Sequence, residues 1–330
     1  LALSEESQGL TKEEEMIRKK NLAPSLLNWV QNTLQLGPGV GDVFYLAPSI
    51  TNVQYKWAKL QGIPGDHMFT SLAAAYAACT ALQNDVILSA VGDYVLTAEQ
   101  DLNKDMTHII GLGGPCVQGD YTQGGVNFYT ATASVVNTFD IIADNCQFHN
   151  FKVSNVGANA ANLSAVFLEG QANLFKNINI MGIMSTAQIA SANPHSLGIG
   201  YGGYFPTFED CIIGTNTWGP RTQTASGHLK FTGAGVGTYP PDGGIFRRCL
   251  FLSYAETASI AAIYLPTTQC IDRIWTFDRC HFSNFWVNAD TLEAYVIDDN
   301  CGYTHRHALI DCTADGYTEW QTDDGSPRRV

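Results

Sequence analysis

A short phrase returns along the second half of this chain at nearly constant intervals, and it limits the possible folds more than any other feature. It reads Asp144-Asn145-Cys146-Gln147-Phe148, Phe175-Lys176-Asn177-Ile178-Asn179-Ile180 and Phe208-Glu209-Asp210-Cys211-Ile212-Ile213. It comes back as Phe246-Arg247-Arg248-Cys249-Leu250-Phe251 and Phe277-Asp278-Arg279-Cys280-His281-Phe282, with a weaker echo at Leu309-Ile310-Asp311-Cys312. Aligned on positions 146, 178, 211, 249, 280 and 312, the steps are 32, 33, 38, 31 and 32 residues. A steady period of this size marks a stacked repeat, in which each unit buries its apolar face against the next.

The spacing inside the phrase supplies the physics. The Cys or Ile and the residue two later are apolar, while the residue between them varies through Gln147, Asn179, Ile212, Leu250 and His281. Alternation of period two sends the first pair inward and the middle residue outward. Rungs about 4.8 Å apart would then align two interior ladders. One is Cys146, Ile178, Cys211, Cys249 and Cys280; the other is Phe148, Ile180, Ile213, Phe251 and Phe282. Each buried member is worth roughly 1.5–3 kcal/mol. A second strand precedes most phrases, at 165–168, 196–199, 228–231 and 260–265. Residues 170–173 and 233–237 read as turns, and 185–195, 215–227 and 232–244 as projecting loops, where binding would reside.

The stretch Thr70 to Gly114 reads as the start of the coil. Ser71 is a suitable helix cap, and an Ala- and Leu-rich helix over 71–82 follows. Short strands at Val86-Ile87-Leu88, Tyr94-Val95-Leu96 and His108-Ile109-Ile110 come next, separated by turn residues. A small apolar helix here would plug the open end of the coil, where backbone edges would otherwise face water. This cap and first rung resemble those of pectate-lyase-like β-helix proteins, particularly ones encoded by bacteriophages. The matching residues are Ser71 to Leu82, Asp85 to Leu88, Gly92 to Leu96 and Ile109 to Gly113. As architecture the resemblance spans about the last four-fifths of the chain. It implies an all-β, right-handed parallel β-helix, a place in a virion and assembly as a homotrimer. A fold of this kind hosts many activities, so it says little about chemistry.

Residues 1–36 differ from the rest. Acidic residues precede Arg18, Lys19 and Lys20, and Leu22, Leu26, Leu27, Val30 and Leu34 form an apolar stripe on a helix with Pro24 near its start. Two fates are open for that stripe: folding back on the chain's own coil, or anchoring the protein to a larger assembly. Residues 37–69 read as an ordered connector, residues 70–314 as the β-helix, and the polar stretch 315–330 as a tail leaving the coil.

A net charge of −13 leaves no phosphate-neutralising excess and argues against nucleic acid. Nine dispersed cysteines with no metal-ligand spacing suggest reduced, buried thiols in a protein assembled in the cytoplasm, with neither metal nor cofactor. No run of membrane length is present. Polysaccharide cleavage would need two carboxylates on one face, with Asp272 and Asp278 as candidates. The Asn-Thr-Asp and Gly-His-Gly phrases of polygalacturonases and the Arg-x-Pro-x-x-Arg phrase of pectate lyases are absent. His305 and His307 share a strand face, and Trp218, Tyr239, Tyr254, Trp275 and Trp286 offer rings for sugar stacking or for packing. The expectation is a structural protein of a phage virion, most simply a capsid decoration or head fibre contacting capsid proteins. A tail spike or tail fibre that binds or cleaves host surface glycan is the alternative.

Overall fold

The structure, a computed structural model, describes residues 22–36, 39–49, 53–113, 124–215, 221, 223, 225–232, 240–255, 261–266, 271–285, 293–300, 307–321 and 328–329. Among these the strands form three wholly parallel sheets of eleven, eight and eight strands. The chain visits the sheets in rotation. Asp85–Ser89 lies in sheet one, Gly92–Val95 in sheet two and Gln100–Leu102 in sheet three, and Thr107–Gly111 then pairs back onto Asp85–Ser89. This is a right-handed parallel β-helix with three strands per turn, the hand that parallel crossovers favour.

The recurring phrase is therefore two strands joined by a bend, not one strand. The bend is a single residue in the left-handed region: Asn150, Asn177, Asp210, Arg248, Arg279 and Asp311 have φ between 49° and 60°. Asn and Asp tolerate that conformation better than other side-chain-bearing residues. The phenylalanine before each bend joins one register line in sheet one: Phe148, Phe175, Phe208, Phe246, Phe277 and then Leu309. Successive rings stack with centroids 4.9, 4.5, 4.5 and 5.0 Å apart. After the bend, Val153, Ile180, Ile213, Phe251 and Phe282 form a second line in sheet two.

Between the two lines stands a column of thiols. Cys211, Cys249, Cys280 and Cys312 each donate to the carbonyl of the phenylalanine one rung earlier, at 3.4, 3.4, 3.3 and 3.2 Å. A small side chain with a weak donor suits a corner where the bend leaves that carbonyl facing inward. The expected ladders hold from Ile178 onward, but Cys146 and Phe148 belong elsewhere. The first true repeat is Phe148-His149-Asn150-Phe151-Lys152-Val153, so Phe151 occupies the thiol column and Phe148 the ring stack. Cys146 is buried one corner earlier, where its N–H donates to Asn173 Oδ1 at 2.8 Å.

Helix α1 (Pro24–Leu34) buries Leu26, Val30 and Leu34, and Leu22 ahead of it, against the outer face of sheet one at Val43, Tyr45, Val86, Leu88 and Ile110. Leu27 is half-buried, and Gln147 Nε2 donates to Leu34 O at 2.9 Å. The stripe thus folds back on its own coil, and these side chains are not free to anchor the protein elsewhere. The stretch expected to be a connector is part of the coil: Val43–Leu46 pairs along Asp85–Ser89, and Met68–Phe69 adds to its other edge. Helix α2 (Val53–Leu60) lies between these two strands in sequence.

Helix α3 (Leu72–Ala78) is the plug. Ser71 Oγ accepts from Ala74 N, and Leu72, Ala75 and Tyr76 join the interior core with Phe44, Ile87 and Leu102. It ends short of Leu82, and Lys104 Nζ caps its open end by donating to the carbonyls of Tyr76, Ala77 and Cys79. The expected departing tail instead continues the coil, with Tyr317–Gln321 pairing in sheet three and Arg328–Arg329 in sheet one.

Candidate functional site

The outer face of sheet three carries one chemically distinctive cluster. Asp101 and Asp140 occupy the same register position on successive rungs, both at outward positions of their strands. Glu99 stands beside them, and one carboxylate oxygen from each of the three lies within 4.8 Å of the others. Burial, then Glu99, Glu169 and Asp101 around it, pushes the Asp140 carboxyl up to about 7. Burial also raises Glu169. Asp140 Oδ1 is shielded from water and finds no hydrogen-bond partner among the described residues. Glu99 is fixed by the Asn137 N–H, which donates to its Oε2 at 2.6 Å.

A carboxyl poised near neutral pH beside other carboxyl groups can give or take a proton in general acid–base chemistry. Three convergent carboxylates are also the donor type that hard cations such as Ca²⁺ take, although Ca²⁺ needs six to eight oxygens. The next positions along the register line are Phe167, Gly198, Lys230, Tyr264 and Asp298. A Cβ at Gly198 would meet His195 Nε2 at 2.5 Å and the Phe167 ring at 2.6 Å, so glycine leaves room there for both rings. Lys230 Nζ sits 5.7 Å from the centre of the Tyr264 ring, and burial lowers its pKa. The sequence reading missed this site because the strand Gln100–Leu102 went unrecognised, and only its register with Asn137–Ile141 brings Asp101 to Asp140.

The sequence candidates fall elsewhere and do not share one site. Asp278 stands on the outer face of sheet one in a column of ion pairs: Arg247 bridges Glu209 at 2.9 Å and Asp278 at 3.1 Å, and Arg279 reaches Asp278 at 3.0 Å. The guanidinium of Arg279, then that of Arg247, holds its carboxyl below the usual range, which suits a fixed anion and not a general acid. Asp272 lines a shallow groove with Phe205, Arg273, Ile274 and Thr276. Trp218, Tyr239, Trp286 and His305 lie outside the described residues. Trp275 is a core residue, edge-on to Phe231 at 4.8 Å, and His307 is buried against Gln321 Oε1 at 3.0 Å. A Ser196–His228 pair at 2.9 Å has the elements of a nucleophile and base. Both residues are fully buried, and Ser196 also holds Gly182 N at 2.9 Å, so the pair closes the corner between sheets two and three.

No protein-family model and no curated protein matches the chain. Solved structures do. Pectin methylesterase PemA from Erwinia chrysanthemi is similar at 15% identity and a TM-score of 0.52, over 84% of this chain and 80% of that one. A pectin methylesterase in complex with a hexasaccharide is similar at 14% identity and 0.55, over 87% and 92%. Pectin methylesterase from Yersinia enterocolitica is similar at 13% identity and 0.52, over 79% and 94%. At such identity the likeness establishes the right-handed parallel β-helix and nothing about activity.

Proposed function

We propose that this protein is a structural component of a bacteriophage virion, a β-helical protrusion of the capsid surface. The reading rests on the likeness of the cap and first rung to phage-encoded β-helix proteins, and the outer face of sheet one supports the scaffolding part of it. The acidic residues of that face are consumed in inter-rung ion pairs running from Lys176 through Glu209 and Arg247 to Asp278, with Arg248 held on Asp210 at 2.7 Å. Such a face braces the stack and leaves its carboxylates no reactive role. The leucine stripe of α1 is committed to the coil, so the proposed attachment is made by chain ahead of Leu22. The phage resemblance supports a homotrimer, built in the host cytoplasm and mounted on capsid proteins.

The test is mass spectrometry and immunogold labelling of purified particles. Label on the head, lost on deletion of residues 1–21 while the β-helix stays folded, supports the reading; absence from particles rejects it. A second reading, a tail spike or fibre that binds or cleaves host polysaccharide, is favoured by the Glu99, Asp101 and Asp140 cluster. Label on the tail, and polysaccharide cleavage that disappears in Asp140→Asn, would support it instead.

A further inference from the structure

The cleft between α1 and α2 lies on the outer face of sheet one, away from both the acidic cluster and the ion-pair column. Trp29 and Trp57 line it from the two helices, and Tyr45 lines it from the strand Val43–Leu46. Among the described residues its remaining polar lining is Ser25, Gln54 and Gln61, and none of the lining residues is charged. The cleft encloses about 410 Å³ and opens to solvent, with the two tryptophans 39% and 38% exposed. Tyr45 is fully buried, and its hydroxyl has no hydrogen-bond partner among the described residues. The Tyr45 and Trp57 rings stand 6.3 Å apart at 49°.

We infer that this cleft is a binding site for a neutral sugar, one or two pyranose rings of an uncharged glycan. Each feature answers a property of such a ligand. The apolar faces of a pyranose lie against aromatic rings, and two half-exposed tryptophans offer such faces without further ordering cost. Sugar hydroxyls both donate and accept, as do the hydroxyls of Tyr45 and Ser25 and the amides of Gln54 and Gln61. A buried hydroxyl lacking a partner calls for an explanation, and a ligand hydroxyl supplies one. The uncharged lining offers nothing to a uronate or a phosphate. The volume falls at the low end of small-ligand pockets and is too small for a long peptide. The inference stands whatever position the protein has on a particle.

The experiment is a titration of the full chain with maltohexaose, cellohexaose and chitohexaose, followed by tryptophan emission. Hexagalacturonate and a decaproline peptide are run alongside. The expected result is saturable binding of at least one neutral hexasaccharide and none of hexagalacturonate. Trp57→Ala should weaken it at least tenfold. Tyr45→Phe, which removes only the unpartnered oxygen, should weaken it about three- to tenfold with the far-UV spectrum unchanged, the effect of one lost hydrogen bond. Saturation by hexagalacturonate or decaproline in place of the neutral sugars overturns the inference. So does the absence of binding to every neutral probe, or neutral-sugar binding that both variants leave intact.

Discussion

Replacing Asp140 by Asn should make the protein more stable at high pH and leave it unchanged at low pH. The folded-state pKa is about 7 against an ordinary value of 3.8, so the folded chain holds this proton more tightly than the unfolded chain does. Its contribution to stability is complete below the unfolded value and is lost as pH rises through about 7. A gap of about three pH units would be worth about 4 kcal/mol for a fully enclosed group. Asp140 is only partly enclosed, and solvent screening reduces the expected effect to roughly 1–2 kcal/mol. The amide introduced by Asp140→Asn would carry no charge at any pH and would not repel Glu99, Asp101 or Glu169.

Urea unfolding of both proteins between pH 3 and 9 measures the difference. The curves should coincide near pH 3, diverge between about pH 4 and 7, and run parallel above pH 8, differing at pH 9 by roughly 1–2 kcal/mol in favour of the variant. Curves parallel over the whole range would show that Asp140 titrates in the folded state as it does in the unfolded chain. A variant less stable at pH 9 would show that the charged carboxylate is held by groups that stabilise it. Either result would refute the argument from burial and neighbouring carboxylates.

Other outcomes follow from the stack itself. Phe208→Ala removes a fully buried ring lying 4.5 Å from both Phe175 and Phe246, and should cost about 3–5 kcal/mol in chemical denaturation. Asn177→Val places a β-branched residue at φ 53° and should cost at least about 1–2 kcal/mol, whereas Asn177→Gly should come within about 1 kcal/mol of the parent. Iodoacetamide followed by peptide mapping should leave Cys211, Cys249 and Cys280 unmodified in the native protein and label them all in denaturant, since the thiols are sealed in the core.

The coil was legible because its apolar periodicity survives any detail of the bend. Cys211 and Ile213, Cys249 and Phe251, and Cys280 and Phe282 all point inward, as spacing of two requires. The bend itself was not legible. Asn177, Asp210, Arg248 and Arg279 share a backbone conformation but no side-chain chemistry, and Arg248 is held there by two hydrogen bonds to Asp210 that no local pattern announces. Without the bend, Cys146 with Phe148 could pass for a member of the series, although the Phe148 to Phe175 step is 27 residues and not 32. The acidic cluster was hidden for a related reason. Gln100–Leu102 is a three-residue strand with one charged member, too short to declare a period, and Asp101 meets Asp140 only through its register.

The fate of the leucine stripe, by contrast, had a readable cue. Val86, Ile87 and Leu88 are consecutive apolar residues in one short strand, so whichever face Ile87 turns to the interior, Val86 and Leu88 turn outward. Ile110 adds to the same outer surface one rung later, and Val43 and Tyr45 one rung earlier. A parallel sheet that is apolar on both faces needs a cover. An upstream helix with Leu26, Val30 and Leu34 along one side matches that need, since leaving both surfaces in water would forgo the burial of each. The cover therefore follows from pairing two exposed apolar surfaces.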